Sequence, residues 1–113
     1  MIEKIFNFTL TSEKVIEKII ADDHLAINHM VLNKGQALPE HFSNSNVYMI
    51  ICRGTVTLQL AEKPARSYPA GTIVNIPYNI KMNVSNAHDD TLEFFVSKLQ
   101  TLLIFRPEFR LFG

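Results

Sequence analysis

The chain has little of what a disulfide-stabilised or membrane-bound protein needs. Cys52 is the only cysteine among the 113 residues, so no intrachain disulfide can form, and a reducing compartment is consistent with this. No stretch approaches the ~20 apolar residues of a membrane span, and no long apolar run follows a basic N-terminal segment. These absences predict a cytoplasmic protein without a signal peptide or membrane contact.

An excess of positive charge is also lacking. Lys plus Arg and Asp plus Glu number 11 each, and no basic stripe with interleaved aromatics is visible. Binding to a polyanion needs such a cluster, because it is driven largely by neutralising phosphates. We therefore expect no nucleic-acid partner.

Composition and length instead suit one small folded domain. Hydrophobic residues make up 47% of the chain and charged residues 19%, which is too apolar for disorder. No linker or repeat divides the sequence. We expect one domain over residues 1–113, with a core from about residue 13 to about residue 98 and a C-terminal tail at residues 99–113.

Short β-rich runs separated by turn residues predict an all-β, antiparallel fold. Residues 15–20 carry apolar positions that also suit a helical face, but their β-branched content favours a strand. Gly54 suits a tight connection that needs a positive φ angle. The predicted strands are residues 15–20, 25–32, 47–53, 55–60, 67–69, 72–76, 82–85 and 91–99.

Two spaced motifs lie between residues 35 and 86. The first consists of Gly35, His41, Ser43, Val47 and Gly54, and the second of Gly71, Pro77, Asn79, Met82 and Asn86. Their spacing resembles the two motifs of the cupin superfamily. The resemblance implies an antiparallel double-stranded β-helix, a jelly-roll barrel.

The same resemblance identifies which metal ligands are missing. In cupins, two His and one Glu of the first motif and one His of the second bind a metal; here only His41 remains, with Ser43, Val47 and Met82 at the other three positions. A metal ion in such a barrel needs three or four N or O donors. We therefore predict no metal and no cofactor. The second Gly of the second motif is Asn79, a residue that tolerates the left-handed conformation well.

The cupin resemblance implies that its ligand positions point into the barrel, and alternation along the strands then predicts which of their neighbours point inward as well. We expect His41, Ser43, Val47, Met49, Ile51, Met82 and Val84 to face inward. His29 shares its parity with Leu25, Ile27 and Val31, so an inward position beside His41 is considered for it as well. The predicted ligand-binding residues are His41, Ser43, Val47, Met49, Met82 and His29.

Three functions stay open for this barrel. The preferred one is a metal-free protein that binds or senses a small molecule in a mostly apolar pocket. The second is a cofactor-independent isomerase or lyase acting on a sugar-like or small polar metabolite, with His41 as the proton-transfer group. The third is a structural or regulatory homodimer whose barrel is filled by side chains.

A homodimer is expected in addition because both faces of the central strand are apolar. Tyr48, Ile50 and Cys52 have the parity opposite to the pocket residues, and a second sheet covers only one face. Cys52 itself is predicted to be a small packed hydrophobe with a raised thiol pKa. The tail carries three Phe and is expected to pack on the barrel or on a partner.

Overall fold

The computed structural model describes residues 1–99, which form nine β-strands. The strands are β1 (Val15–Ala21), β2 (Leu25–Leu32), β3 (His41–Phe42), β4 (Asn46–Arg53), β5 (Thr55–Leu60), β6 (Arg66–Pro69), β7 (Ile73–Ile76), β8 (Lys81–Ser85) and β9 (Leu92–Leu99). Of the predicted tail, residues 100–113 lie outside the described residues. None of residues 1–99 belongs to a helix long and apolar enough to cross a membrane.

The strands form two antiparallel sheets. The larger sheet has the order β1-β2-β9-β4-β7, and the smaller one has the order β3-β8-β5-β6. This arrangement confirms the predicted all-β fold, and residues 15–20 form a strand as expected. Only β3 is missing from the predicted strands, since a strand of two residues leaves no alternation to detect.

The core lies between the two sheets and follows the alternation of side chains. In β4, Val47, Met49 and Ile51 are at most 2% exposed, whereas Tyr48 and Ile50 on the other face are 42% and 38% exposed. Further core residues come from β2, β5, β7, β8 and β9: Met30, Leu32, Val56, Leu58, Ile76, Met82, Val84, Leu92, Phe94 and Val96. One face of each sheet therefore builds a single apolar interior.

Gly54 connects the two sheets at a point where the backbones lie very close. Its φ angle is +75°, and a Cβ atom at this position would lie 2.3 Å from the carbonyl oxygen of Thr91. Asn79 adopts a φ of 65°, as expected from its tolerance of the left-handed region. Both motif turns therefore keep the required backbone conformation.

The N-terminal segment, residues 1–14, reaches the outer face of the larger sheet. The Phe8 ring lies 4.9 Å from the rings of both His29 and Phe95. The Thr9 amide donates to a Glu17 carboxylate oxygen at 2.8 Å, and Arg53 donates to the carbonyl oxygen of Thr11 at 2.8 Å. Ring contacts and hydrogen bonds thus hold this segment against the sheet.

Candidate functional site

A cavity of about 70 Å³ lies between the two sheets, at the positions where cupins hold a metal. Its wall is almost entirely apolar because it is the inner face of β2, β4, β8 and β9. The wall includes Met30, Val47, Met49, Met82, Val84 and Val96. Three of the four methionines of the chain therefore contact this one space. Flexible thioether side chains adapt readily to ligands of different shape.

The mouth of the cavity carries three polar side chains and one aromatic ring. His41, Phe42 and Asn44 are exposed there, Lys98 is half-buried, and Ser43 beside them is buried. The Nδ1 atom of His41 lies 2.9 Å from the carbonyl oxygen of Pro39, a contact that requires the proton on Nδ1. In the neutral ring this leaves Nε2 as a hydrogen-bond acceptor. Glu40 accepts a hydrogen bond from Asn83 at 3.0 Å instead of orienting the imidazole.

Ser43 has a structural role at the position of the second cupin histidine. Its Oγ donates to the carbonyl oxygen of Pro77 at 2.6 Å and accepts from the amide of Ile80 at 2.8 Å. The residue is 3% exposed, so both backbone groups depend on this hydroxyl instead of water. Ser43 therefore fixes the loop before β8 and has little freedom to bind a ligand atom.

The donor atoms around the cavity do not fit the metal centre that the fold family implies. Val47 has no donor atom, Met82 offers a thioether suited to soft ions, and the Ser43 hydroxyl is committed to the backbone. Within residues 1–99, no group of three His, Cys, Asp or Glu side chains is placed to hold a metal ion. His41 alone would not retain one against water.

His29 is not part of the cavity, and the inward position considered for it is wrong. Its neighbour Met30 lines the cavity, so His29 faces the outer side of the sheet. There Nδ1 lies 2.7 Å from Glu17 Oε2 and Nε2 lies 2.6 Å from Glu93 Oε2. The ring is fully buried because Phe8 and Phe95 pack against it. Leu25, Ile27 and Val31, which share the parity of His29, belong to the outer face under the N-terminal segment. Strand alternation alone cannot distinguish this covered face from the barrel interior.

The Glu17–His29–Glu93 cluster anchors the N-terminal segment. Each ring nitrogen of His29 therefore faces a carboxylate, one from β1 and one from β9. The hydrogen bond from the Thr9 amide is the main reason that the pKa of Glu17 lies below its usual value, followed by the hydrogen bond with His29. This cluster links β1, β2 and β9 to the segment that covers them.

Cys52 differs from its prediction in one respect. Partial burial, followed by the Glu93 carboxylate, raises the pKa of its thiol as expected, yet the side chain is exposed in the isolated chain. It lies on the outer face of β4, where the N-terminal segment leaves neighbouring apolar residues uncovered. The thiol is therefore a poor nucleophile at neutral pH but is not part of the core.

A polar cleft adjoins the cavity, and sequence reasoning missed it. The cleft has a volume of about 260 Å³ and is lined by residues of β1, β2, β9 and the β3–β4 loop. The lining residues are Lys18, Ala21, Ala26, Asn28, Asn44, Ser45 and Lys98. Asn44 and Lys98 line both spaces. Alternation in β9, where Phe94 and Val96 face inward, was a usable signal for Lys98.

Together these features define a cupin barrel that lacks the donor set of a metal centre. The chain is 44% identical over 99 residues to the uncharacterized protein MJ0764 of Methanocaldococcus jannaschii, which covers 87% of this chain and 85% of the relative. The crystal structure of MJ0764 is that of an RmlC-like cupin family protein with a double-stranded β-helix fold. It matches with a TM-score of 0.86 over 88% of this chain and 93% of that one. The chain therefore belongs to the RmlC-like cupin family.

More distant structures share the architecture. A cupin-like protein of Thermotoga maritima has a TM-score of 0.71 at 24% identity, covering 78% of this chain and 69% of that one. A cupin 2 conserved barrel domain protein of Salinispora arenicola has a TM-score of 0.70 at 18% identity, covering 92% and 90%. At these identities the similarity shows the fold alone. No family model matches the chain.

Proposed function

We propose that the protein binds a small, largely apolar organic molecule in the barrel cavity, without a metal ion. The observation that carries this proposal is the apolar cavity at the position of the family's metal centre, with polar side chains confined to its mouth. Apolar walls supply affinity, and a few polar groups fix orientation. A volume of about 70 Å³ restricts the buried part of the ligand to a few non-hydrogen atoms.

The isomerase or lyase alternative depends on His41. Within residues 1–99 its Nε2 has no hydrogen-bond partner, and the other ring nitrogen contacts the carbonyl oxygen of Pro39 instead of a carboxylate. A carboxylate partner would stabilise the imidazolium that forms during proton transfer. His41→Ala distinguishes the two functions, because it abolishes turnover in an enzyme and only weakens affinity in a binding protein.

Methionine methyl groups provide a direct test of cavity binding. The protein labelled with ¹³C-methyl methionine is titrated with a set of small metabolites, and the methyl resonances of Met30, Met49 and Met82 report on the cavity. Met1 is 94% exposed and serves as an internal control. We expect a subset of compounds to shift the three cavity resonances in a saturable way while Met1 stays unchanged. A barrel filled by its own side chains would give no such shifts with any compound.

We also propose that the protein is a homodimer, in which a second copy covers the outer face of β4 and β7. Tyr48, Ile50 and Ile73 are 42%, 38% and 63% exposed there, and Ile50 pairs directly with Ile73. The formal net charge is zero, so two copies approach without net repulsion. Contiguous exposed apolar surface of this kind is typical of protein interfaces.

A cytoplasmic location stays a prediction.

A further inference from the structure

The inner face of the larger sheet changes from apolar to polar toward one end. The pairing register aligns Asn28, Val96 and Met49 across β2, β9 and β4, with Lys18 opposite Asn28 on β1. The adjacent inward-facing row aligns Ala26, Lys98 and Val47. Lys18, Asn28 and Lys98 thus follow the apolar wall of the cavity on the same face of the sheet. This boundary marks the transition from the cavity to the polar cleft.

The two lysines of the cleft have no carboxylate partner. Among residues 1–99, neither Lys18 nor Lys98 forms an ion pair, whereas Lys34 lies 2.6 Å from Asp89 and Lys81 lies 3.0 Å from Glu62. Two like charges that line one cleft repel each other unless an anion lies between them. The cleft is therefore electrostatically suited to a negatively charged group.

Ser45 adds an independent observation that points to a ligand. The residue lines the cleft and is 3% exposed, and its Oγ has no hydrogen-bond partner among the described residues. An unpaired buried hydroxyl costs stability, so native structures rarely keep one without a reason. The Ser43 hydroxyl, two residues earlier, has both of its partners. A ligand oxygen that reaches Ser45 would satisfy the unpaired hydroxyl.

We propose that the ligand is a short-chain carboxylic acid, bound as the carboxylate. Its aliphatic chain occupies the cavity, and its carboxylate lies in the cleft near Lys98, Asn44 and Ser45, with Lys18 contributing at longer range. Asn44 and Lys98 line both spaces, so one small molecule can contact both. Charge-assisted hydrogen bonds to the carboxylate supply orientation, and burial of the chain supplies affinity. This inference rests on the proposed cavity binding.

A matched pair of probes separates the charge from the chain. Isovalerate (3-methylbutanoate) and its neutral isostere isovaleramide are titrated into the methyl-labelled full-length protein at pH 7.5, and inorganic phosphate is titrated in parallel. We expect isovalerate to shift the cavity methionine resonances at a concentration at least tenfold lower than isovaleramide needs. Phosphate should leave those methyl resonances unchanged and compete only weakly with isovalerate.

Two variants locate the carboxylate. Lys98→Met keeps the apolar stem and removes the charge, so it should weaken isovalerate binding about tenfold and weaken isovaleramide binding by a smaller factor. Lys34→Met removes an exposed charge elsewhere and should change neither affinity. Ser45→Ala should weaken isovalerate binding while leaving the free protein equally or more stable, since it deletes an unpaired hydroxyl.

The outcomes distinguish failure of this inference from failure of cavity binding. Equal affinities for isovalerate and isovaleramide, unaffected by Lys98→Met, would overturn the carboxylate assignment and leave cavity binding intact. Phosphate binding as tightly as isovalerate would likewise overturn it, because the cleft would then select an anion without an apolar chain. Absence of any methyl shift with both organic probes, and with the metabolite set, would remove the inference together with the proposed function.

Discussion

Replacement of Ser43 by alanine tests whether this position has become structural. The variant leaves the carbonyl oxygen of Pro77 and the amide of Ile80 without their shared partner in a place that is 3% exposed to water. An unsatisfied buried polar group costs about 1–3 kcal/mol, so we expect a loss of about 2 kcal/mol in the free energy of unfolding. The corresponding decrease in Tm is about 8 °C for a chain of this size.

The assay is urea-induced unfolding followed by circular dichroism, with thermal unfolding as a second readout. Ser67→Ala is the matched control, because the Ser67 hydroxyl is exposed and contacts Thr57 and His88 at 3.0 and 3.1 Å. The control should change stability by less than about 0.5 kcal/mol. If Ser43→Ala changes stability as little as the control does, the structural role that we assign to this hydroxyl is wrong.

Three further predictions concern backbone conformation, pH dependence and assembly. Gly54→Ala should destabilise the fold by more than about 2 kcal/mol in urea unfolding, since its Cβ would meet the Thr91 carbonyl oxygen at 2.3 Å. An unchanged stability would contradict the close approach of the backbones at Gly54 and Thr91. The lowered pKa of Glu17 predicts stability that is fully present above its usual pKa of 4.5 and lost as pH falls through the lower folded-state value. Glu17→Gln should remove this part of the pH dependence of stability. If the variant keeps the same dependence as the wild type, the effect does not come from Glu17. Ile50→Lys should convert the proposed dimer to a monomer in light scattering. Gln59→Lys, on the other sheet, is the control and should not. A wild-type mass near 12.9 kDa at micromolar concentration would exclude the dimer.

The fold could be predicted because local and global signals agree. Motif spacing, turn residues and β-branched runs all predict the same barrel, and Gly54 and Asn79 adopt the backbone conformations that their residue types favour. The inward positions of Val47 and Met82 are implied by the cupin motifs, and that of Met49 follows from alternation within the same strand as Val47. Agreement of this kind depends only on local periodicity and on a family pattern.

The missed parts of the site depend on contacts between distant segments. His29 is buried like a core residue, but its cover is Phe8 from the N-terminal segment, a contact that strand parity does not encode. Cys52 is exposed on the outer face of β4, although its sequence neighbours are apolar. Lys98 follows the inward alternation of Phe94 and Val96, but a charged residue at the end of a strand reads as solvent-exposed unless the strands that enclose it are known. Tertiary context decides these three positions.

The retained fold and the lost donors together explain the proposed function. Replacement of the family's ligand residues by Ser43, Val47 and Met82 removes the metal donors yet keeps their inward positions. The outcome is an apolar cavity with a polar mouth. The Ser43 hydroxyl stabilises this arrangement through its hydrogen bonds to the loop before β8. The barrel therefore keeps a concave interior suited to binding.

Native mass spectrometry of the freshly purified protein, combined with elemental analysis of the same sample, shows whether the barrel holds an organic molecule or a metal ion. We predict an organic adduct that is lost on denaturation, and transition-metal content far below one equivalent per chain. Near one equivalent of a transition metal after purification without added metal would refute the metal-free cavity, because it would show that the remaining side chains still hold a metal ion.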